Sequence, residues 1–149
     1  MTEIGFYQLE HAPLERALPK LLEKVLERGL RALVLAGSEE RVETLNSVLW
    51  TYQQRSFLPH GSAKDGFATA QPVYLTTQQE NPNGASVLVL VDGTDHDDLL
   101  SFERCLFLFD GKDVDAVARA RERWRADKAA GHEVIYWQQT PEGRWERAS

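Results

Sequence analysis

Leu14, Leu18, Leu21, Leu22, Val25 and Leu26 recur with helical period and form one continuous apolar stripe. A few residues on, Arg31 to Ala36 (RALVLA) is apolar almost without a break and too short for a helix. That is the pattern of a strand buried on both faces. An amphipathic helix feeding a two-sided strand confines the chain to a sheet with cover on both sides. The strand pattern returns at Pro72 to Thr77, Val87 to Val91, Arg104 to Phe109 and Glu133 to Gln139. Ile4, Phe6 and Gln8, alternating with Gly5, Tyr7 and Leu9, supply a short first strand.

Turn and cap residues divide these segments. Pro13 opens the first helix, where its missing N–H is not needed; Pro19 predicts a kink or a later start, and Gly29 a stop. Ser38 reads as the N-cap of a second helix, with Glu39 and Glu40 at its positive dipole end. Val42, Leu45, Val48 and Leu49 form the inner stripe of that helix, and Trp50 ends it. Residues 51–71 are a long polar connection around the apolar island Phe57-Leu58-Pro59. Asn81-Pro82-Asn83-Gly84 signals a tight turn. Asp113 caps a last helix in which Val114, Val117, Arg121 and Trp124 share a face, and Gly131 ends it. The order predicts a three-layer α/β domain over residues 1–140, with a mixed, mostly parallel central sheet flanked by helices. Residues 72–109 leave little room for helices, which predicts an antiparallel part. Residues 141–149 read as a flexible tail in which Trp145 can dock.

With 17 Lys+Arg against 23 Asp+Glu, the 149-residue chain has a formal charge of −6. That balance argues against coating a DNA duplex, while leaving room for a local basic patch. Cys105 has no partner for a disulfide and sits in an apolar run, as a reduced core thiol would. No stretch approaches the roughly 20 apolar residues that span a bilayer. The first residues, MTEIGFYQLE, lack the basic-then-apolar order of a secretion signal, so a cytoplasmic location is expected.

Motifs that carry chemistry are sparse. The turn after the second strand has one glycine, Gly37, followed by Glu39 and Glu40, and lacks the G-x-G-x-x-G that admits a pyrophosphate. Gly61 to Gly66 (GSAKDG) has the outer spacing of a P-loop, but Phe67-Ala68 stands where Lys-Ser/Thr is required. Asp92, Asp95, His96, Asp97 and Asp98 offer oxygen ligands without the ligand order of a calcium loop. They read as a solvated acidic turn. His11, His60 and His132 are isolated, and no nucleophile elbow is present. Neither catalytic, metal nor cofactor residues are therefore assigned. A small α/β enzyme or binding protein for a nucleotide or phosphate is the alternative reading, on the fold class alone.

Two segments look like binding surfaces. Within ten residues of the last helix, 119–128, Arg119, Arg121, Arg123, Arg125 and Lys128 oppose only Glu122 and Asp127. Arg121, Trp124, Arg125 and Lys128 fall at i, i+3, i+4 and i+7, on one face. An indole edge flanked by guanidiniums suits an acidic peptide terminus. It equally suits a single-stranded base and its phosphate, and the bland reading is a solvated face with Trp124 in the core. The second segment is Leu49-Trp50 with Ser56 to His60, which either covers a sheet end or forms an aromatic anchor cluster.

These segments carry a family resemblance. N-x-x-L-W (Asn46 to Trp50), S-F-L-P-H-G (Ser56 to Gly61), Q-P-V-Y-L (Gln71 to Leu75) and F-D-G (Phe109 to Gly111) occur in order. With A-R-E-R-W-R-A-D-K-A-A-G-H (Ala120 to His132), they lie between Phe6-Tyr7 and Tyr136-Trp137. The set resembles the chi subunit of bacterial DNA polymerase III holoenzyme. The resemblance implies a Rossmann-like domain without a nucleotide, acting as a non-catalytic adaptor in DNA replication. It implies pairing with the psi subunit of the clamp loader through Trp50, Phe57, Leu58 and Pro59, a surface for which a repair helicase competes in some relatives. It also implies that the acidic C-terminal tail of single-stranded DNA-binding protein is held by Arg121, with Trp124, Arg125 and Lys128 beside it. Asp110 adds a carboxylate at the lower wall of that pocket.

Overall fold

The computed structural model describes residues 2–51, 60–62 and 68–148, with Trp50 and Ala68 described by their backbone alone. Among these residues eight strands form one sheet. They are β1 (Glu3–Leu9), β2 (Ala32–Leu35), β3 (Gly61–Ser62), β4 (Val73–Thr76), β5 (Val87–Leu90), β6 (Arg104–Asp110), β7 (Glu133–Gln139) and β8 (Trp145–Arg147). Their order across the sheet is β3-β4-β2-β5-β6-β1-β7-β8. Three α-helices flank it: α1 (Leu14–Glu27), α2 (Glu39–Thr51) and α3 (Val114–Ala129). The layers are those of an α/β three-layer fold.

Side-chain alternation along the strands splits the core in two. Ala32 and Val34 of β2, Val87 and Val89 of β5, and Leu106 and Leu108 of β6 face α1 and α2. Their neighbours Leu33, Leu35, Leu88, Leu90, Cys105 and Phe107 lie on the opposite face, in the core that also takes up α3 and Ile4 and Phe6 of β1. Period two is what lets one strand supply both cores. The helical stripe of α1 enters the first of them through Leu18, Leu21, Leu22 and Val25, and α2 adds Val42, Leu45 and Leu49.

Several boundaries fall where the residues place them. Ser38 Oγ accepts the Arg41 N–H at the start of α2, and Asp113 accepts from Asp115 and Ala116 at the start of α3. Gly29 and Gly131, with φ of +74° and +90°, follow the ends of α1 and α3.

Other expectations are corrected. The start of α1 is not delayed by Pro19; the helix begins at Leu14, with Pro13 as N-cap, and runs on through a buried Pro19. Burial among Leu18, Leu21 and Leu22 outweighs the one hydrogen bond that the proline cannot make. No antiparallel pairing lies within 72–109: β4, β5 and β6 are all parallel to their neighbours. Loops 77–86 and 91–103, the second with a 3-10 turn at Leu99–Ser101, make those crossovers without an α-helix. The antiparallel pair is instead β7 with β8. Past Thr140, where a tail was expected, a turn closed by Gly143 N–H on the Thr140 carbonyl brings the chain back. Trp145 then packs at the margin of the first core. On α3, Val114 does not share the inner face; it is 82% exposed, and Ala116, Val117, Ala120 and Trp124 face the sheet.

Candidate functional site

The basic helix α3 is set on the sheet by small residues and one large one. Ala116 and Ala120 let it approach closely, and Trp124 is half-buried against the aromatic ridge of the second core. The indole meets Phe6 edge-on at 5.5 Å and Tyr136 at 5.8 Å. Trp124 thus combines both readings of the sequence: its inner edge is core, and the rest borders solvent. Tyr136 donates its hydroxyl hydrogen to Gln8 Oε1. Burial raises its pKa against the opposing charge of Arg121 nearby.

Arg121, Arg125 and Lys128 are exposed. Among the described residues they form no ion pair. Arg123 behaves differently. Its guanidinium lies over the Phe107 ring at 4.9 Å and bridges Asp95 at 2.8 Å and Asp127 at 3.4 Å. This arginine, counted with the basic surface in the sequence, is instead an internal tie between α3 and the loop after β5. Asp127 at i+4 is the one local hint of this, since Asp95 and Phe107 are distant in the chain. The open cations beside the indole are Arg121, Arg125 and Lys128, joined on the N-terminal side by exposed Arg119.

Asp110 is exposed at the end of β6, where its carboxylate accepts the Lys112 N–H. Gly111 follows because the turn presses against β1: its N–H donates to the Leu9 carbonyl at 2.7 Å. A Cβ there would lie 2.8 Å from the same oxygen.

The second predicted surface is only partly visible. Phe57, Leu58 and Pro59 lie outside the described residues, as does the side chain of Trp50 and most of the Gly61 to Gly66 loop. What is described joins the two motifs that bracket them: His60 is buried, and its Nε2 meets the Asn46 carbonyl at 3.2 Å.

A phosphate ligand would sit at the C-terminal ends of β1 and β6. These adjacent strands send α1 and α3 to opposite faces of the sheet, the place where open α/β sheets hold ligands. A cavity of about 630 Å³ opens there, lined by His11, Arg41, Asp92, Phe109 and Lys112 among others. Several of its donors are committed to the protein itself, while the exposed Lys112 and Arg119 also line it. The N–H groups of Glu10, His11 and Ala12 all point to Gln139 Oε1, at 3.1, 2.9 and 2.9 Å. Arg41 is bound to Glu15 at 3.0 Å and to Asp92 at 3.2 Å. Neither Gln139 nor Arg41 was singled out in the sequence, because a lone Gln and a lone Arg carry no spacing signal.

The acidic turn is structural as well. Asp92 accepts from Gly37 and Arg41, Asp95 pairs with Arg123, and buried His96 accepts the Asp98 N–H. Among the described residues no group of three or more His, Cys, Asp or Glu is placed to hold a metal ion, and no helix is long and apolar enough to cross a membrane.

Comparison with known proteins bears on the same segments. The family model described as DNA polymerase III chi subunit, HolC, matches residues 1–135. A probable DNA polymerase III subunit chi from Rickettsia prowazekii (strain Madrid E) is 33% identical over 109 residues. The match covers 73% of this chain and 66% of that relative, just under two thirds of its length. The family match runs through the Phe6-Tyr7 strand, the capped basic helix and the start of the strand that holds Tyr136, and the chain belongs to the DNA polymerase III chi subunit family.

Proposed function

We propose that this chain is a non-catalytic adaptor of the DNA replication machinery. It pairs with the psi subunit of the clamp loader and binds the acidic C-terminal tail of single-stranded DNA-binding protein. The observation that carries the reading is the outer face of α3, where Arg121, Arg125 and Lys128 stand exposed beside the half-buried Trp124 and, among the described residues, form no ion pair. In a chain of charge −6 that is a local reversal of sign. The tail's terminal carboxylate sits on Arg121, its acidic side chains face Arg125 and Lys128, and its apolar ring packs on the open edge of Trp124. Trp50, Phe57, Leu58 and Pro59 form the psi-facing surface.

Supporting this reading are the family membership and the commitment of the backbone N–H groups of residues 10–12 to Gln139 and of Arg41 to Glu15 and Asp92. The test is a shift map of the labelled protein with a peptide of the tail sequence. Shifts centred on 121–128 are expected. Shifts confined to the β1–β6 cavity would replace the adaptor reading with a small-ligand site. For the psi surface, Phe57→Ala should weaken co-purification by about 2 kcal/mol or more if Phe57 is an anchor; undiminished recovery would remove that assignment.

A further inference from the structure

α1 carries a second cationic row, on the face of the sheet opposite α3. Arg16, Lys20, Lys24 and Arg28 recur at every fourth residue. They rise about 6 Å per step and extend about 18 Å along the helix. All four are exposed, and among the described residues none is in an ion pair. They form one wall of a groove of about 870 Å³ between α1 and the β7–β8 edge.

The floor of that groove is aromatic. Tyr7 and Trp137 are register partners on β1 and β7, with rings 6.2 Å apart and within 17° of parallel. Trp145, on β8, meets Tyr7 edge-on at 5.1 Å. The three rings are half-buried, so part of each borders solvent. A smaller cavity of about 160 Å³ continues the groove past Tyr7, Lys24, Arg28 and Trp137. Arg16, Lys20 and Lys24 also border the side facing Val48 and Thr51 of α2, together with Glu15, Glu23 and Glu27, whereas the main groove adds Arg28 and has Glu142 as its one carboxylate residue among the described ones, next to Arg144.

We propose that the groove between the Arg16–Lys20–Lys24–Arg28 row and the Tyr7–Trp137–Trp145 floor binds single-stranded nucleic acid. An evenly spaced row of cations follows a phosphate backbone, and ring faces beside it receive unpaired bases. A duplex keeps its bases stacked inside and has no use for the floor. An acidic peptide uses the row but has no repeating planar groups to set on three rings. This site lies on a different face from the proposed tail site and does not rest on it.

The experiment is a fluorescence anisotropy titration of the full chain against a labelled oligothymidylate of about 16 nucleotides, at low and moderate salt. Indole quenching is followed in parallel. Saturable binding that weakens as salt rises is expected. Lys20→Glu with Lys24→Glu should weaken it by about tenfold or more, and Trp145→Ala should reduce the quenching. Both lysines are exposed on a helix, and an unchanged melting curve confirms that the double variant folds. Arg121→Ala should bind the oligonucleotide like the parent. Undiminished binding by the lysine variant, loss of binding in Arg121→Ala, equal affinity for a duplex of the same length, or capture of polyglutamate with no binding of the oligonucleotide would each overturn the proposal.

Discussion

The side-chain oxygen of Gln139, at the end of β7, accepts the backbone N–H of His11 at 2.9 Å. It accepts those of Glu10 and Ala12 as well. Three consecutive donors converging on one oxygen are an anion-binding geometry satisfied from within. Gln139 is buried, so its loss uncovers donors that the fold does not otherwise satisfy. Gln139→Ala is expected to cost about 2–3 kcal/mol in urea unfolding. A loss below about 0.5 kcal/mol would mean that the β1–α1 loop does not depend on this residue.

Burial pushes the Cys105 thiol up to about 12. The thiolate is the reactive form, so a native sample at pH 8 should resist thiol reagents and react fully once unfolded in guanidinium. As the one cysteine of the chain, it makes the readout unambiguous. Rapid labelling of the native protein would place β6 outside the core.

Gly111 of the F-D-G motif has no room for a side chain. A Cβ would lie 2.7 Å from Gln8 Cγ and 2.8 Å from the Leu9 carbonyl oxygen. The glutamine can move aside, but the carbonyl belongs to the sheet. Gly111→Ala should destabilise by about 1–3 kcal/mol, measured as a shift of the denaturation midpoint at unchanged m. A neutral substitution would show that β6 and β1 are not so closely apposed at that end.

Burial raises the Asp127 carboxyl above the ordinary aspartate range, while Arg123 and His132 pull it down. The native state therefore holds this proton to higher pH than the unfolded chain does. The associated stabilisation is present below the unfolded pKa and is lost as pH rises through the native one. Arg123→Met removes the largest opposing charge. It should raise the Asp127 titration further and weaken the fold at neutral pH by about 2 kcal/mol. A carboxyl NMR titration that does not move would contradict the ion pair.

What the sequence made legible was whatever has period or punctuation. The strands from Val87 and Arg104, the stripe of α1 and the caps at Ser38 and Asp113 all stand where pattern places them. Strand direction was less legible, because parallel crossovers through loops 77–86 and 91–103 need no helix and leave no helical signal. The short β8 escaped for a related reason: three residues after a glycine turn have too little pattern, and Trp145 alone hinted at docking. At the candidate site, helical spacing puts Arg121, Arg125 and Lys128 on one face, and all three are exposed. It could not tell that Arg123 turns inward, since that depends on Asp95 and Phe107, both distant in the chain.

The adaptor reading stands on Arg121, exposed beside Trp124 and, among the described residues, in no ion pair. Its most direct test is a calorimetric titration of the tail peptide of single-stranded DNA-binding protein into the parent and Arg121→Ala proteins at two salt concentrations. The parent should bind with an affinity that falls as salt rises. The variant should lose binding while its unfolding free energy stays within about 0.5 kcal/mol. Equal affinities for parent and variant would contradict the assignment of the site.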